Sequence, residues 1–230
     1  MNEIVFSILS LNEKLRGVSF DFAFLGGSVL SLLVNDSTAD AIRVTKDIDI
    51  IAGVRTRKEF HGEERELESR GFIHDTSEDA PICRWKADGV VVDVLPVREE
   101  VLGWKSQWFE EALLAAKKMD VGGVSVKVIS APYFVLLKLE AFEDRGKGDF
   151  LLSTDFEDVI CLFNGRSGLV QEIKESGQIA IVIAEKFDRY LKSRDMEDAI
   201  TGFLQTESNP DERFGRIMRA FNELAQLCEK

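Results

Sequence analysis

Residues 44–50 read VTKDIDI and set Asp47 and Asp49 one residue apart in an otherwise apolar run. In a strand, side chains alternate between faces, so Ile48 and Ile50 share one side and the two carboxylates share the other. Like charges held that close need solvent or a cation between them. A third carboxylate, Asp93, stands in GVVVDVLP, on one face with Val91 and Leu95 in a run of buried character, and there it needs a partner. Ahead of both runs, SFDFAFL leads directly into Gly26, Gly27 and Ser28 and then VLSLLV, a pattern of strand, tight turn and helix. Carboxylate oxygens suit a hard cation, and magnesium in particular is held by one or two carboxylates together with substrate phosphates. Glycines before a helix let backbone amides approach a phosphate, and the helix N-terminus adds a favourable dipole. The combination describes metal-assisted phosphoryl or nucleotidyl transfer. Taken singly, each aspartate also reads as a solvated or salt-bridged strand residue, and Gly-Gly-Ser as an ordinary loop.

The elements that must position these groups follow from the patterning around them. The opening MNEIVFSILSLNEKL lacks a basic leader region and a small-residue cleavage site and reads as an amphipathic helix. RTRKEFHGEERELESRG predicts a charged surface helix closed by Gly71. Asp88-Gly89 lies between two strand-like runs and suits a type I' hairpin, and a second hairpin is expected across Gly122-Gly123 into VSVKVIS. From Ser130 onward the period becomes helical: APYFVLLKLEAFEDR with Pro132 near its start, the loop RGKGD, a capping box from Thr154 to Glu157, then amphipathic helices interrupted at Asn209-Pro210. The expected fold class is α/β (α+β), with a mixed, largely antiparallel sheet in residues 1–130 and a helical region in 131–230 packed on it.

At 230 residues the chain can bury a sizeable core, and its sequence shows no internal repeat at solenoid spacing and no low-complexity tract. No segment is long and apolar enough to span a membrane, so the expected location is cytoplasmic. Cys83, Cys161 and Cys228 are odd in number and far apart, which fits reduced thiols rather than a disulfide framework or zinc site. A formal charge of -12 argues against a general nucleic-acid coat, although a local basic patch could still act on one RNA end.

LGGS, then DID, then VVDV resembles the DNA polymerase beta-like nucleotidyltransferase superfamily. More narrowly, Arg43-x-Thr45-x-Asp47-x-Asp49, LKLEAF, RGKGDF and DFEDVI resemble the AbiEii/AbiGii-type toxin nucleotidyltransferases, over residues 24–165. The resemblance implies a minimal nucleotidyltransferase core followed by helices. It implies that Gly26, Gly27 and Ser28 hold a triphosphate, with Arg43 and Thr45 beside the nucleotide, and that Asp47, Asp49 and Asp93 bind Mg2+ or Mn2+. Asp93 would also help activate the attacking hydroxyl. Lys138 would contact nucleotide phosphate, and Asp155 or Asp158 would match the family's last acidic motif, although Thr154 stands where relatives often carry Arg or His. The implied reaction moves NMP from an NTP to an acceptor hydroxyl on RNA, such as a tRNA end, or on protein. The implied setting is a toxin with a partner antitoxin, or an abortive-infection system.

Plainer readings stand beside these. Lys138, between Leu137 and Leu139, could snorkel from a core helix. Arg43 could pair with a loop carboxylate, Glu157 could serve only the cap, and Asp155 the helix dipole. Arg145 and Lys147 read as a solvated loop, and His61 and His74 have no ligand spacing. Two rival functions follow: a catalytically silent nucleotidyltransferase fold used for nucleotide binding or protein interaction, and a purely structural α/β domain with salt-bridged aspartates.

Overall fold

The computed structural model describes residues 3–36, 45, 47–103 and 107–229. The chain divides into two compact units, Met1–Val29 with Val44–Ser130, and Leu30–Arg43 with Ala131–Lys230.

The first unit is a seven-stranded mixed sheet with helices. Its strands are β1 (Phe22–Leu25), β2 (Asp47–Ala52), β3 (Ile73–His74), β4 (Arg84–Ala87), β5 (Val90–Pro96), β6 (Lys117–Val121) and β7 (Val124–Val128), in the order β3-β4-β5-β2-β1-β7-β6. Four pairings are antiparallel, while β2 with β5 and β1 with β7 are parallel. The two hairpins form where the glycine-containing turns predict them. Asp88 and Gly89 take φ of 53° and 78°, the left-handed pair that a type I' turn requires, and β4 and β5 flank them. Strand β3, only two residues long, is too short to leave a period in the sequence.

Helix α1 (Glu3–Lys14) buries Val5, Ile8 and Leu11, one stripe at helical spacing. After β1 comes a 3-10 turn, Gly27–Val29, and the α-helical part that follows, α2 (Leu30–Leu33), is a single turn. Helix α3 (Arg57–Ser69) starts on a capping box between Thr56 and Glu59, and Gly71 follows it at φ +81°. Short helices α4 (Glu99–Leu102) and α5 (Phe109–Leu114) complete this unit.

The second unit is helical: α2 with α6 (Ala131–Asp144), α7 (Thr154–Gly165), α8 (Leu169–Lys174), α9 (Gln178–Tyr190), α10 (Arg194–Leu204) and α11 (Pro210–Ala225). Its core is aromatic. Phe142, Phe150, Phe156 and Tyr190 meet with centroids 4.7–6.4 Å apart, and Phe187 stacks on Phe221 at 4.1 Å. The cap of α7 falls one residue earlier than the sequence suggests: Ser153, in extended backbone, accepts from the Phe156 amide, which makes Thr154 the first helical residue and removes Glu157 from the capping role. No helix among the described residues is long and apolar enough to cross a membrane.

Candidate functional site

The candidate residues fall into two groups, one in each unit. In the first, parallel pairing sets Asp49 directly opposite Asp93 and Asp47 opposite Val91. Direct partners in a sheet point to the same side, so Asp47, Asp49 and Asp93 share one face of neighbouring strands about 4.8 Å apart. Ile48 and Ile50 point the other way and are fully buried. Over Asp47–Ile50 the core takes every second residue and the carboxylates receive what remains, while Ile51 and Ala52 are buried as well.

Gly26 sits against this face with φ +72°, and a Cβ placed on it would lie 1.8 Å from Oδ2 of Asp49. Both the conformation and the space require glycine here, so the turn and the Asp49 carboxylate are fitted to each other. Gly26 and Gly27 are half-buried. Ser28 is different from its expected role: it is buried, and its hydroxyl donates to the Leu25 carbonyl at 3.0 Å, so its side chain fastens the turn to β1. Backbone amides of the turn remain the groups with which it could meet an anion. The dipole expected from a following helix is small, since α2 is one turn long. Thr45 is half-buried ahead of β2, and Arg43 lies outside the described residues.

Asp93 has found its partner within the sheet. Arg84, its direct neighbour on β4, donates from Nε to Oδ1 at 2.8 Å and from Nη2 to Oδ2 at 2.7 Å, while Nη2 also lies 4.0 Å from Oδ2 of Asp47. The bond to Asp93 raises the Arg84 guanidinium above its ordinary range. Asp93 is thus already engaged by a cation, and among the described residues no group of three or more acidic, His or Cys side chains is arranged to hold a metal. The donor set that does suit magnesium is the pair Asp47 and Asp49, since that ion takes one or two protein carboxylates and fills its other positions with water and phosphate oxygens. Asp47 keeps nearly half of its side chain exposed.

The second group is a buried charge cluster. Lys138 on α6 lies 2.9 Å from Oδ1 of Asp155 and 2.7 Å from Oδ2 of Asp158, both on the first turns of α7. Arg145, which the sequence offered as a solvated loop residue, donates from Nε and Nη2 to Asp155 at 2.8 and 2.6 Å. All three of Lys138, Asp155 and Asp158 are buried. Burial pushes the Lys138 ammonium down, but Asp158 and Asp155 outweigh it and hold it above its ordinary value. Burial likewise pushes Asp155 up, and the Arg145 and Lys138 cations bring it below the usual carboxylate range. The structure thus brings Lys138 together with both acids of the last motif.

In structure the chain is similar to an antigenic nucleotidyltransferase-like protein from Paracoccidioides brasiliensis, with TM-score 0.56 and 19% sequence identity over 96% of this chain and 93% of that one. The fold is nucleotidyltransferase-like. Fainter likenesses are to the antibiotic-resistance factor ANT(2'')-Ia (TM-score 0.46, 14% identity, 82% of this chain and 91% of that one) and to the lincosamide antibiotic adenylyltransferase LnuA, lincomycin-bound (0.42, 17%, 70% and 96%). No family model matches the sequence, and no curated protein does.

Proposed function

We propose that the protein is a nucleotidyltransferase that moves a nucleoside monophosphate from an NTP to an acceptor hydroxyl. The observation that carries this reading is the fit of Gly26 against Asp49 on a face shared with Asp47 and Asp93. That fit joins the glycine turn to the carboxylates. Asp47 and Asp49 are the residues to hold Mg2+ or Mn2+, whose chemistry when bound is to neutralise the triphosphate and the departing pyrophosphate. The chain itself contributes position. The Gly26–Gly27 turn offers amides to phosphate oxygens, and the buried Ile48 and Ile50 fix the strand from which Asp47 and Asp49 project. In the reaction the acceptor oxygen forms a bond to the α-phosphorus, the α–β phosphoanhydride breaks, pyrophosphate leaves, and the hydroxyl proton passes to a base, the role the family resemblance gives Asp93. Lys138 is the residue that the same resemblance aims at a nucleotide phosphate, with Asp155 or Asp158 behind it.

The finer assignment is to the AbiEii/AbiGii toxin type, which would make the acceptor an RNA end, such as that of tRNA, or a protein hydroxyl, and would add an antitoxin partner. A second reading is favoured by one observation: Arg84 takes both oxygens of Asp93, as a catalytically silent nucleotide-binding or interaction module could tolerate. The test is incubation with each α-labelled NTP, magnesium or manganese, and total RNA or total protein. Label should appear in one acceptor class with the native protein and be lost with Asp49→Asn. Metal-dependent NTP binding without label in any arm would establish the silent module, and absence of both would remove the nucleotide reading. For the toxin assignment, expression should slow bacterial growth, and Asp49→Asn should relieve it.

A further inference from the structure

Arg84 stands where a metal-binding reading has no place for a cation. Its position follows from the hairpin: the Asp88-Gly89 turn pairs Ala87 with Val90, Lys86 with Val91, Trp85 with Val92 and Arg84 with Asp93. Trp85 and Ala87 are buried, so Arg84 necessarily faces the same side as the carboxylates. There it is within 2.8 Å of Asp93 and 4.0 Å of Asp47, yet 29% of its side chain remains exposed. A guanidinium matches the paired oxygens of a carboxylate and of a phosphate with the same planar fork. A divalent cation ligated by Asp93 would face that guanidinium at close range and be repelled.

We propose that Arg84 is a built-in counter-ion that gates the acidic face: while it holds Asp93, the face takes a single divalent cation at Asp47 and Asp49, and Asp93 becomes a cation ligand only when the triphosphate draws the guanidinium to itself. Arg84 is then a positioning residue for Asp93. The inference rests on the reading of Asp47 and Asp49 as a metal site, and it names what regulates that site.

Binding of Mn2+ in the absence of nucleotide tests it, read as free Mn2+ by electron paramagnetic resonance and as heat by calorimetry. The native protein should bind one ion, Arg84→Gln should gain a second, and the neutral double variant Arg84→Gln with Asp93→Asn should return to one with affinity within about two-fold of native. The double variant removes both charges of the pair, so it remains informative if the single one fails to fold. A single variant that binds one ion as the native protein does, a native protein that already binds two, or a double variant that falls about ten-fold or more below native would each overturn the gate while leaving the metal site standing. No binding by any of the three would overturn both the gate and the metal site. A further readout is ATP: with it the native protein should take up the second ion, and unchanged stoichiometry would count against displacement of Arg84.

Discussion

Helix α7 carries its two aspartates into the interior only with cations attached, Lys138 between them and Arg145 on the outer oxygens of Asp155. The other unit treats acid differently. Asp47 is left half in water, Asp93 is met by Arg84, and Glu63 on α3 is buried with neither carboxyl oxygen hydrogen-bonded. Burial pushes the Glu63 carboxyl up to about 8, with Glu64 and Glu66 adding to the shift. The contrast separates structural charge from available charge. A compensated, buried ion cluster fixes a helix pair and resists change, whereas the carboxylates beside the Gly26 turn are the ones proposed to accept a cation.

The contrast can be broken most severely at Lys138. Lys138→Met removes the shared cation and leaves Asp155 and Asp158 buried beside one another, for an expected loss of about 3–5 kcal/mol in denaturant unfolding. Stability retained within about 1 kcal/mol would show that the cluster is not what holds α6 to α7, and would favour a phosphate-binding Lys138.

Glu63 gives the next largest effect. In the folded protein it titrates near 8, against about 4.5 when unfolded, so the native state binds the extra proton between those values. Its contribution is therefore fully present below pH 4.5, is lost progressively as pH rises, and is gone above about 8. Because an ionised side chain can relax toward water, the loss should be roughly 2–3 kcal/mol. Glu63→Gln should flatten that part of the stability curve, and identical curves for the two proteins from pH 5 to 9 would contradict the burial argument.

A smaller change tests the fit at the turn. Gly26→Ala forces an L-residue into φ +72° and drives its Cβ onto Asp49, so it should cost about 1–2 kcal/mol and abolish metal-induced stabilisation in thermal unfolding. A Gly26→Ala protein that responds to magnesium as the native one does would separate the turn from the metal site.

Much of this architecture was legible where local chemistry decides it. The Asp88-Gly89 and Gly122-Gly123 turns announced their hairpins because left-handed backbone needs those residues, and alternation in DIDI announced that Ile48 and Ile50 are buried opposite the carboxylates, although Ile51 is buried too. Arg84 was legible too, since a two-residue turn fixes the register and places it opposite Asp93, but the pairing has to be counted out from the turn to be seen. What stayed hidden depends on tertiary contact. Arg145 looks like a loop cation until α7 presents Asp155 to it, and Glu63 looks like one more glutamate on a charged helix until its neighbours cover it. The α7 cap slipped by one residue because Ser153 and Thr154 are both good caps and only backbone geometry chooses between them.

Asp49 gives the smallest expected change in stability and the largest in function. Asn at this position removes the charge while preserving shape, so without metal the variant should stay within about 1 kcal/mol of the native stability. The decisive measurement is thermal unfolding of the native protein and Asp49→Asn, each with chelator, with magnesium, and with magnesium and ATP. Magnesium with ATP should stabilise the native protein alone, and chelator should abolish the gain. A variant clearly less stable in chelator, yet still stabilised by magnesium and ATP, would show Asp49 to be a structural charge and contradict the metal-nucleotide site.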